Sequence, residues 1–275
     1  MAEELDNDFK NFIERFTYMK STNIEKERNV LSPKTRSKAT RKDPYPQQIK
    51  KRESLKLSIS KVSQYPLDHA LPDIIDHNLL VLFVGINPGI RSAQTGHHFA
   101  GPTNHFYPCL VESGLTNSEV VNYENDAELP KKFRIGLINV CSRTSRSSAD
   151  LNKNEMMDGI PSLINKVKLY KPKILSFVGK CAYEAYEKSS KDSNINNSNK
   201  SLPFKFGLQS KKIFWTDGGY TKISAMPSTS GRVSHYQKDY KLKLFKELKT
   251  LIDIEREQEK TNKLYQLEVE AKERM

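Results

Sequence analysis

Apolar positions along this chain gather in short runs. LLVLFVGI (79–86), FRIGLINV (133–140), KILSFVG (173–179) and KISAMPS (222–228) are each rich in β-branched or aromatic residues and end in turn residues, as buried strands do. Segments with helical character, 103–115, 153–170 and 180–190, separate them. That alternation predicts an α/β fold: a mostly parallel central sheet covered by helices on both faces, a three-layer αβα sandwich. Residues 236–255 place Leu244, Phe245, Leu248, Leu251 and Ile252 on one face of an amphipathic helix that closes the domain. The charged residues 256–275 extend that helix or form a tail. The polar stretch KSSKDSNINNSNK (188–200) marks a surface insertion, and there are no internal repeats.

Upstream the pattern changes. Residues 1–20 carry Phe9, Phe12, Ile13 and Phe16 at helical spacing, and residues 20–61 hold thirteen Lys/Arg against four Asp/Glu, interrupted by Pro33, Pro44 and Pro46. The chain therefore divides into a basic, largely disordered arm (1–62), a compact domain (63–255) and a charged C-terminal helix or tail (256–275). The clusters KTRSKATRK and KKR suit phosphate binding, nuclear import or simple solvation. The first residues, MAEELDNDFKNF, are acidic and lack an apolar core, which argues against a signal peptide. No stretch of about 20 apolar residues suggests a membrane span.

Charge sharpens this picture. A formal net charge of +12 suits a polyanionic partner, nucleic acid before others, although Lys-rich tails also serve solubility. Cys109, Cys141 and Cys181 are far apart with no C-x-x-C pair, so neither a disulfide framework nor a zinc or iron–sulfur site is supported. His97, His98 and His105 have no Cys or carboxylate beside them in sequence, and metal ligation is not expected of them.

In folds of this class ligands sit beyond the carboxyl ends of the strands, and three polar motifs fall there: Asn87 after the first strand, Asn139 in the second, Ser228–Arg232 after the last. In GINPG, Pro88 forces Asn87 out of the helical region, so its amide is presented on a stiff turn. An Asn can orient a water but cannot deprotonate it. The reaction it serves must have a leaving group that departs largely unaided, as a uracil anion does from an N-glycosidic bond. A purely structural strand-to-turn also accounts for the motif taken alone. A phosphate-binding loop does not, because GxGxxG and GK[ST] spacing are missing. Phe99, in GHHFAGPTNHF, reads as a stacking platform for a flipped base or as ordinary core.

GINPG, GHHFAGPTNHF, GLINVCSRTS, FVGKCAYE and MPSTSGR resemble, in that order, motifs of the mismatch-specific uracil/thymine-DNA glycosylases of the uracil-DNA glycosylase superfamily. The resemblance covers roughly residues 75–255 and leans towards the eukaryotic thymine-DNA glycosylase branch. It implies a monofunctional glycosylase without cofactor or metal, which flips and hydrolytically removes uracil, with thymine or other modified pyrimidines as further substrates, from G·U or G·T mismatches and so initiates base excision repair. Asn87 would orient the water. Gly85, Ile86, Ser92, His98, Phe99 and Asn139 would form the base pocket, with Ser92 and His98 near the pyrimidine C5 side and Asn139 on the base edge. Ser148, Lys180, Ser228 and Ser230 would contact phosphates, and Gly231 and Arg232 would form the insertion loop. The lysine that follows the Ser148 position in the family is Ala149 here. Ser92 and Phe99 favour uracil over thymine. The implied partners are double-stranded DNA with a G·U or G·T mismatch and a downstream abasic-site endonuclease. The resemblance further implies a monomer acting in the nucleus, away from membranes. A catalytically weak DNA-binding or scaffold protein of the same fold is the alternative.

Overall fold

The structure, a computed structural model, describes residues 70–190 and 203–274. The arm (1–62), its helix over 1–20, residues 63–69 and most of the 188–200 insertion lie outside the described residues. Five strands form one sheet in the order β2-β1-β3-β5-β4: β1 Val81–Gly85, β2 Ile135–Asn139, β3 Ile174–Val178, β4 Gly207–Phe214 and β5 Tyr220–Met226. The pairs β1/β2, β1/β3 and β3/β5 are parallel. β4 lies antiparallel on the edge against β5, with a register shift between Leu208 and Lys212.

Helices α1 Ile90–Thr95, α2 Phe106–Glu112, α3 Leu129–Phe133, α4 Lys153–Tyr170, α5 Lys180–Ser189 and α6 Lys238–Glu273 complete the chain order, with 3-10 turns at Tyr123–Glu128 and Ser148–Asp150. The sheet is covered on both faces, which is why β1 and β3 are buried at every position. On one face Leu82, Val84, Leu175 and Phe177 meet Ile160, Leu163 and Val167 of α4 and Tyr183 and Tyr186 of α5. On the other, Val81, Phe83, Ile135 and Leu137 meet Phe106 and Leu110 of α2 and Phe245, Leu248 and Ile252 of α6. The predicted three-layer sandwich is the observed one.

Local chemistry fixes the element ends. The Asn152 side chain accepts the Glu155 N–H at 2.7 Å and caps α4, which ends at Lys171 in a left-handed conformation. Gly159 lets α4 lie against the exit of β2, because a Cβ there would stand 2.2 Å from the Val140 carbonyl oxygen. Of the two alternatives left open for residues 256–275, helix α6 takes the extension: it runs unbroken to Glu273. Arg134 grips Glu259 through two hydrogen bonds of 2.7 and 2.9 Å, and Lys222 meets the buried Glu255 at 2.7 Å. These ion pairs carry the helix about two turns past Ile252, its last buried apolar residue, and residues 261–274 are exposed. Strand β4 departs from the expectation. Its polar sequence and intermediate burial give no apolar run to read, and its edge position explains why none is needed.

The chain passes from β1 to β2 on one side of β1 and then crosses to β3 on the other. The switch point lies at the carboxyl ends of β1 and β3, where a doubly wound sheet opens a crevice.

Candidate active site

A cavity of about 370 Å³ occupies that crevice. Gly85, Asn139 and Val178, the last residues of β1, β2 and β3, form part of its wall, with Ile86–Ser92, His98–Phe99, Gly101–Asn104, Ser145–Ser148 and Ser228–Val233. The three predicted motifs converge on one site.

The turn after β1 is stitched to the chain leaving β2. Val140 N–H donates to the Gly85 carbonyl, Cys141 N–H to that of Ile86 and Ser145 N–H to that of Pro88, at 3.0, 2.8 and 3.2 Å. Asn87 completes the seam. Its Nδ2 donates to the Arg143 carbonyl and to Ser145 Oγ, both at 2.8 Å. Ser145 Oγ spends its own proton on the Ser147 carbonyl, so it can only accept from Asn87, and the Arg143 carbonyl is likewise an acceptor. Both partners fix the same amide orientation. Asn87 Oδ1 is left as the acceptor without a partner among the described residues, on the cavity wall.

His98 is 2% exposed. Its Nε2 meets the Pro72 carbonyl at 2.9 Å, which requires the proton on Nε2 and leaves Nδ1 as the acceptor, 3.5 Å from Asn139 Nδ2. Burial pushes its pKa down, against the pull of the Pro72 carbonyl and Asp126, so the ring is neutral at neutral pH. With Nδ2 turned towards His98, Asn139 lays Oδ1 over Gly85: a Cβ on Gly85 would stand 2.4 Å from it. Phe99 bounds the same floor. Its ring stacks on Phe106 with centroids 4.1 Å apart and planes at 13°, and its backbone holds φ 54°. That left-handed conformation costs a bulky residue about 1–3 kcal/mol and is found where a site over-determines the chain. Ser92 is buried, and its Oγ accepts the Ala100 N–H at 3.2 Å. Ile86 lines the cavity while its side chain packs towards Gly179, where a Cβ would lie 2.9 Å from Ile86 Cδ1.

The loop after β5 closes the other side. Ser228 Oγ accepts the Ser230 N–H and Ser230 Oγ accepts the Arg232 N–H, both at 3.3 Å. Gly231 packs so tightly on Thr103 that a Cβ would stand 2.4 Å from its carbonyl oxygen. The Arg232 guanidinium donates to the Arg146 carbonyl at 2.7 Å, linking this loop to the one after β2. Ser148 lies on the cavity wall; Lys180 does not. The Lys180 ammonium is 3.3 Å from Glu184 and 5.2 Å above the Phe204 ring.

Three features escaped the sequence reading. Asp126, 2% exposed, accepts the His98 backbone N–H and meets His97 Nδ1, each at 2.9 Å. The expectation that no carboxylate accompanies the histidines is thereby corrected: the partner comes from the Tyr123–Glu128 turn and organises the loop. Arg91 and Arg146 join Arg232 on the cavity wall as exposed cations, none paired with a carboxylate among the described residues. Ser145, which fixes Asn87, closes the motif GLINVCSRTS, but nothing in the sequence ties it to Asn87.

The geometry suits a flat ring able to hydrogen-bond, held against Phe99 with Asn139 at its edge and a polarised water on Asn87. A Schizosaccharomyces pombe protein named G/U mismatch-specific uracil DNA glycosylase is 36% identical over 208 residues, 72% of this chain. The chain spans 60% of the length of that relative. A protein of Methanosarcina acetivorans solved by solution NMR is 19% identical, with a TM-score of 0.39 over 66% of this chain and 98% of its own. The sequence profile of the uracil DNA glycosylase superfamily matches residues 72–249, the whole sheet and the cavity wall, and the chain belongs to that superfamily.

Proposed function

We propose that the protein is a monofunctional DNA glycosylase that extrudes uracil from a G·U mismatch in duplex DNA and hydrolyses its N-glycosidic bond. The observation that carries this reading is the locked Asn87 amide, whose two N–H groups are consumed by Arg143 and Ser145 while Oδ1 remains to accept from a water. The water adds to C1′ as the C1′–N1 bond breaks. The electron pair leaves on uracil; the added water releases a proton to solvent, the uracil anion takes one up, and an abasic site remains. An amide only aims the water, so positioning and the electrostatics of the pocket carry the rate. No amine stands at the Asn87 position, and a Schiff-base route is not used.

Phe99 stacks on the base and Asn139 reads its edge, with the amide orientation supported by His98. Arg232 leaves the Arg146 carbonyl and enters the stack where the nucleotide was. Ser148, Ser228 and Ser230 bind phosphates, with Arg91 and Arg146 beside them. Uracil is favoured over thymine, because the buried Ser92 near the C5 side leaves little room for a methyl group. The name of the S. pombe relative supports the substrate, and the basic clusters within 20–61 support action in the nucleus on chromosomal DNA, with the abasic site passed to an endonuclease.

Incubation with an end-labelled duplex holding one G·U pair, followed by hot alkali, tests this reading. Strand breakage at the uracil is expected, faster than at a G·T pair. Asn87→Ala is expected to abolish breakage and keep binding to the mismatch. No breakage with wild-type protein in excess would reduce the chain to a DNA-binding member of its family.

A further inference from the structure

Lys241, in the first turn of α6, is 1% exposed and is among the largest fully buried side chains. No carboxylate partners it among the described residues. Its ammonium donates to the Ser230 carbonyl at 3.1 Å and lies 3.3 Å from His105 Nδ1. The His105 backbone N–H donates to the Thr229 carbonyl at 2.9 Å. Two successive carbonyls of the loop after β5 are thus held from inside the protein, by Lys241 and by the residue that Lys241 touches. A buried ammonium without an anion is costly, and the loop it grips faces outward at Gly231, which is exposed.

In a trans peptide the N–H lies opposite the C=O. The Ser230–Gly231 peptide therefore turns its oxygen to Lys241 and its N–H, the Gly231 amide, away from it. That N–H has no partner among the described residues. A cation bonded to the oxygen draws electron density through the peptide and strengthens the N–H as a donor. We propose that Lys241 is a positioning residue for a DNA backbone phosphate, acting through the Ser230–Gly231 peptide, whose outward N–H holds a phosphate oxygen. This inference rests on the reading that the protein binds duplex DNA. Lys241 touches neither the base nor the reacting bond, so its contribution lies in binding.

Burial lowers the Lys241 pKa from the ordinary lysine range. A phosphate above the loop favours the charged form, so affinity is greatest at lower pH and weakens as pH rises through that lowered pKa. The groups facing Lys241 are His105 and Cys109 of α2 and Lys238 of its own helix. The His105 pKa is lowered from 6.5 by burial and then by Lys241 and Lys238. Burial raises the Cys109 thiol to about 11, and the hydrogen bond to Glu112 raises Lys238. None of the three has its midpoint between pH 7.5 and 10.5.

Fluorescence anisotropy of the full chain with a labelled duplex carrying a stable tetrahydrofuran abasic site opposite G tests the proposal. Lys241→Met is expected to weaken binding about tenfold near pH 7 and to lower the steepness of its salt dependence. Wild-type affinity is expected to decline below pH 10.5, the ordinary lysine value, as Lys241 loses its proton, and the variant's to stay level there. Equal affinities, or a pH decline that persists in the variant, would overturn the proposal. The wild-type pH series needs no substitution and holds even if the variant folds poorly; a wild-type series that is flat up to pH 10.5 also overturns it. Both measurements read binding and not cleavage, so failure of the catalytic reading alone leaves their result intact. A wild-type protein without affinity for this duplex overturns both readings.

Discussion

Gly85→Ala probes the cavity floor with a single added carbon. Gly85 ends β1, pairs with Asn139 in the parallel register and has no positive φ, so alanine suits its backbone. The new Cβ would stand 2.4 Å from Asn139 Oδ1 and 3.4 Å from Phe99 Cζ. Carbon–oxygen contacts begin near about 3.3 Å, so Asn139 must retreat by about 0.9 Å while Phe99 stays in ordinary contact. Asn139 cannot retreat towards His98, whose ring is fixed by the Pro72 carbonyl, and its amide therefore rotates out of the position proposed to read the base. A misplacement of about 1 Å costs roughly 100-fold in rate, whereas one methyl group on a yielding side chain costs about 1 kcal/mol of stability. Single-turnover excision of uracil from a G·U duplex, beside a thermal melt, measures both. A variant with wild-type excision rate would refute the assignment of Asn139 to the base edge.

Gly159→Ala separates packing from chemistry: its Cβ would meet the Val140 carbonyl oxygen at 2.2 Å, backbone that cannot swing aside, so a loss of about 1–3 kcal/mol in urea unfolding is expected, and an unchanged midpoint would contradict the close seating of α4 on β2. His98 and His105 both have lowered pKa values, so the folded state resists their protonation; stability is full above pH 6.5 and falls as pH drops below it. The Glu155 and Glu259 carboxylates are lowered instead, by Arg143 and Arg134, and act below about pH 4.5, so melting between pH 5 and 6.5 isolates the histidines; His98→Gln should flatten that limb, and an unaltered slope would show that His98 is already charged. Deletion of residues 20–61 removes thirteen basic and four acidic residues, and binding to undamaged duplex should weaken with a shallower salt dependence; an unchanged slope would make the arm a spacer.

The parallel strands were legible because burial on both faces writes an unbroken apolar run, and α4 was legible to the residue because Asn152 caps it and its apolar period is regular. Strand β4 was not: at the edge, Gly207–Phe214 pairs on one side only and carries Gln209, Ser210, Lys211 and Lys212 without penalty. The continuation of α6 was left open because its stabilising contacts are Arg134–Glu259 and Lys222–Glu255, which join residues about 125 and 33 positions apart. The motifs carried the outline of the site, but the residues that aim it were silent. Asp126, Ser145 and Lys241 look like ordinary polar residues in sequence, and only the fold reveals that all three are buried behind the loops they hold. Lys241 in particular sits in a run that reads as the solvated face of a helix.

The free-state position of Arg232 bears on selectivity. Its guanidinium rests on the Arg146 carbonyl, and both residues are exposed, so that bond contributes about 1 kcal/mol net and exchanges readily for contacts with DNA. Extruding a paired nucleotide costs a few kcal/mol, least at a mismatch. If Arg232 is the inserting residue, as proposed, its release costs little, and the larger difference between substrates lies in the duplex itself. With Asn87 able to aim a water but not to deprotonate it, slow chemistry then acts on whichever base remains longest in the pocket. On the proposed function a G·U pair satisfies both conditions, since it opens more easily than a matched pair and brings no methyl group to the proposed C5 neighbour, Ser92. Discrimination on this reading is kinetic, and raising the extrusion rate with an unpaired uracil should narrow the difference between strong and weak contexts; an undiminished preference for G·U over unpaired uracil would instead require direct contacts to the opposite guanine.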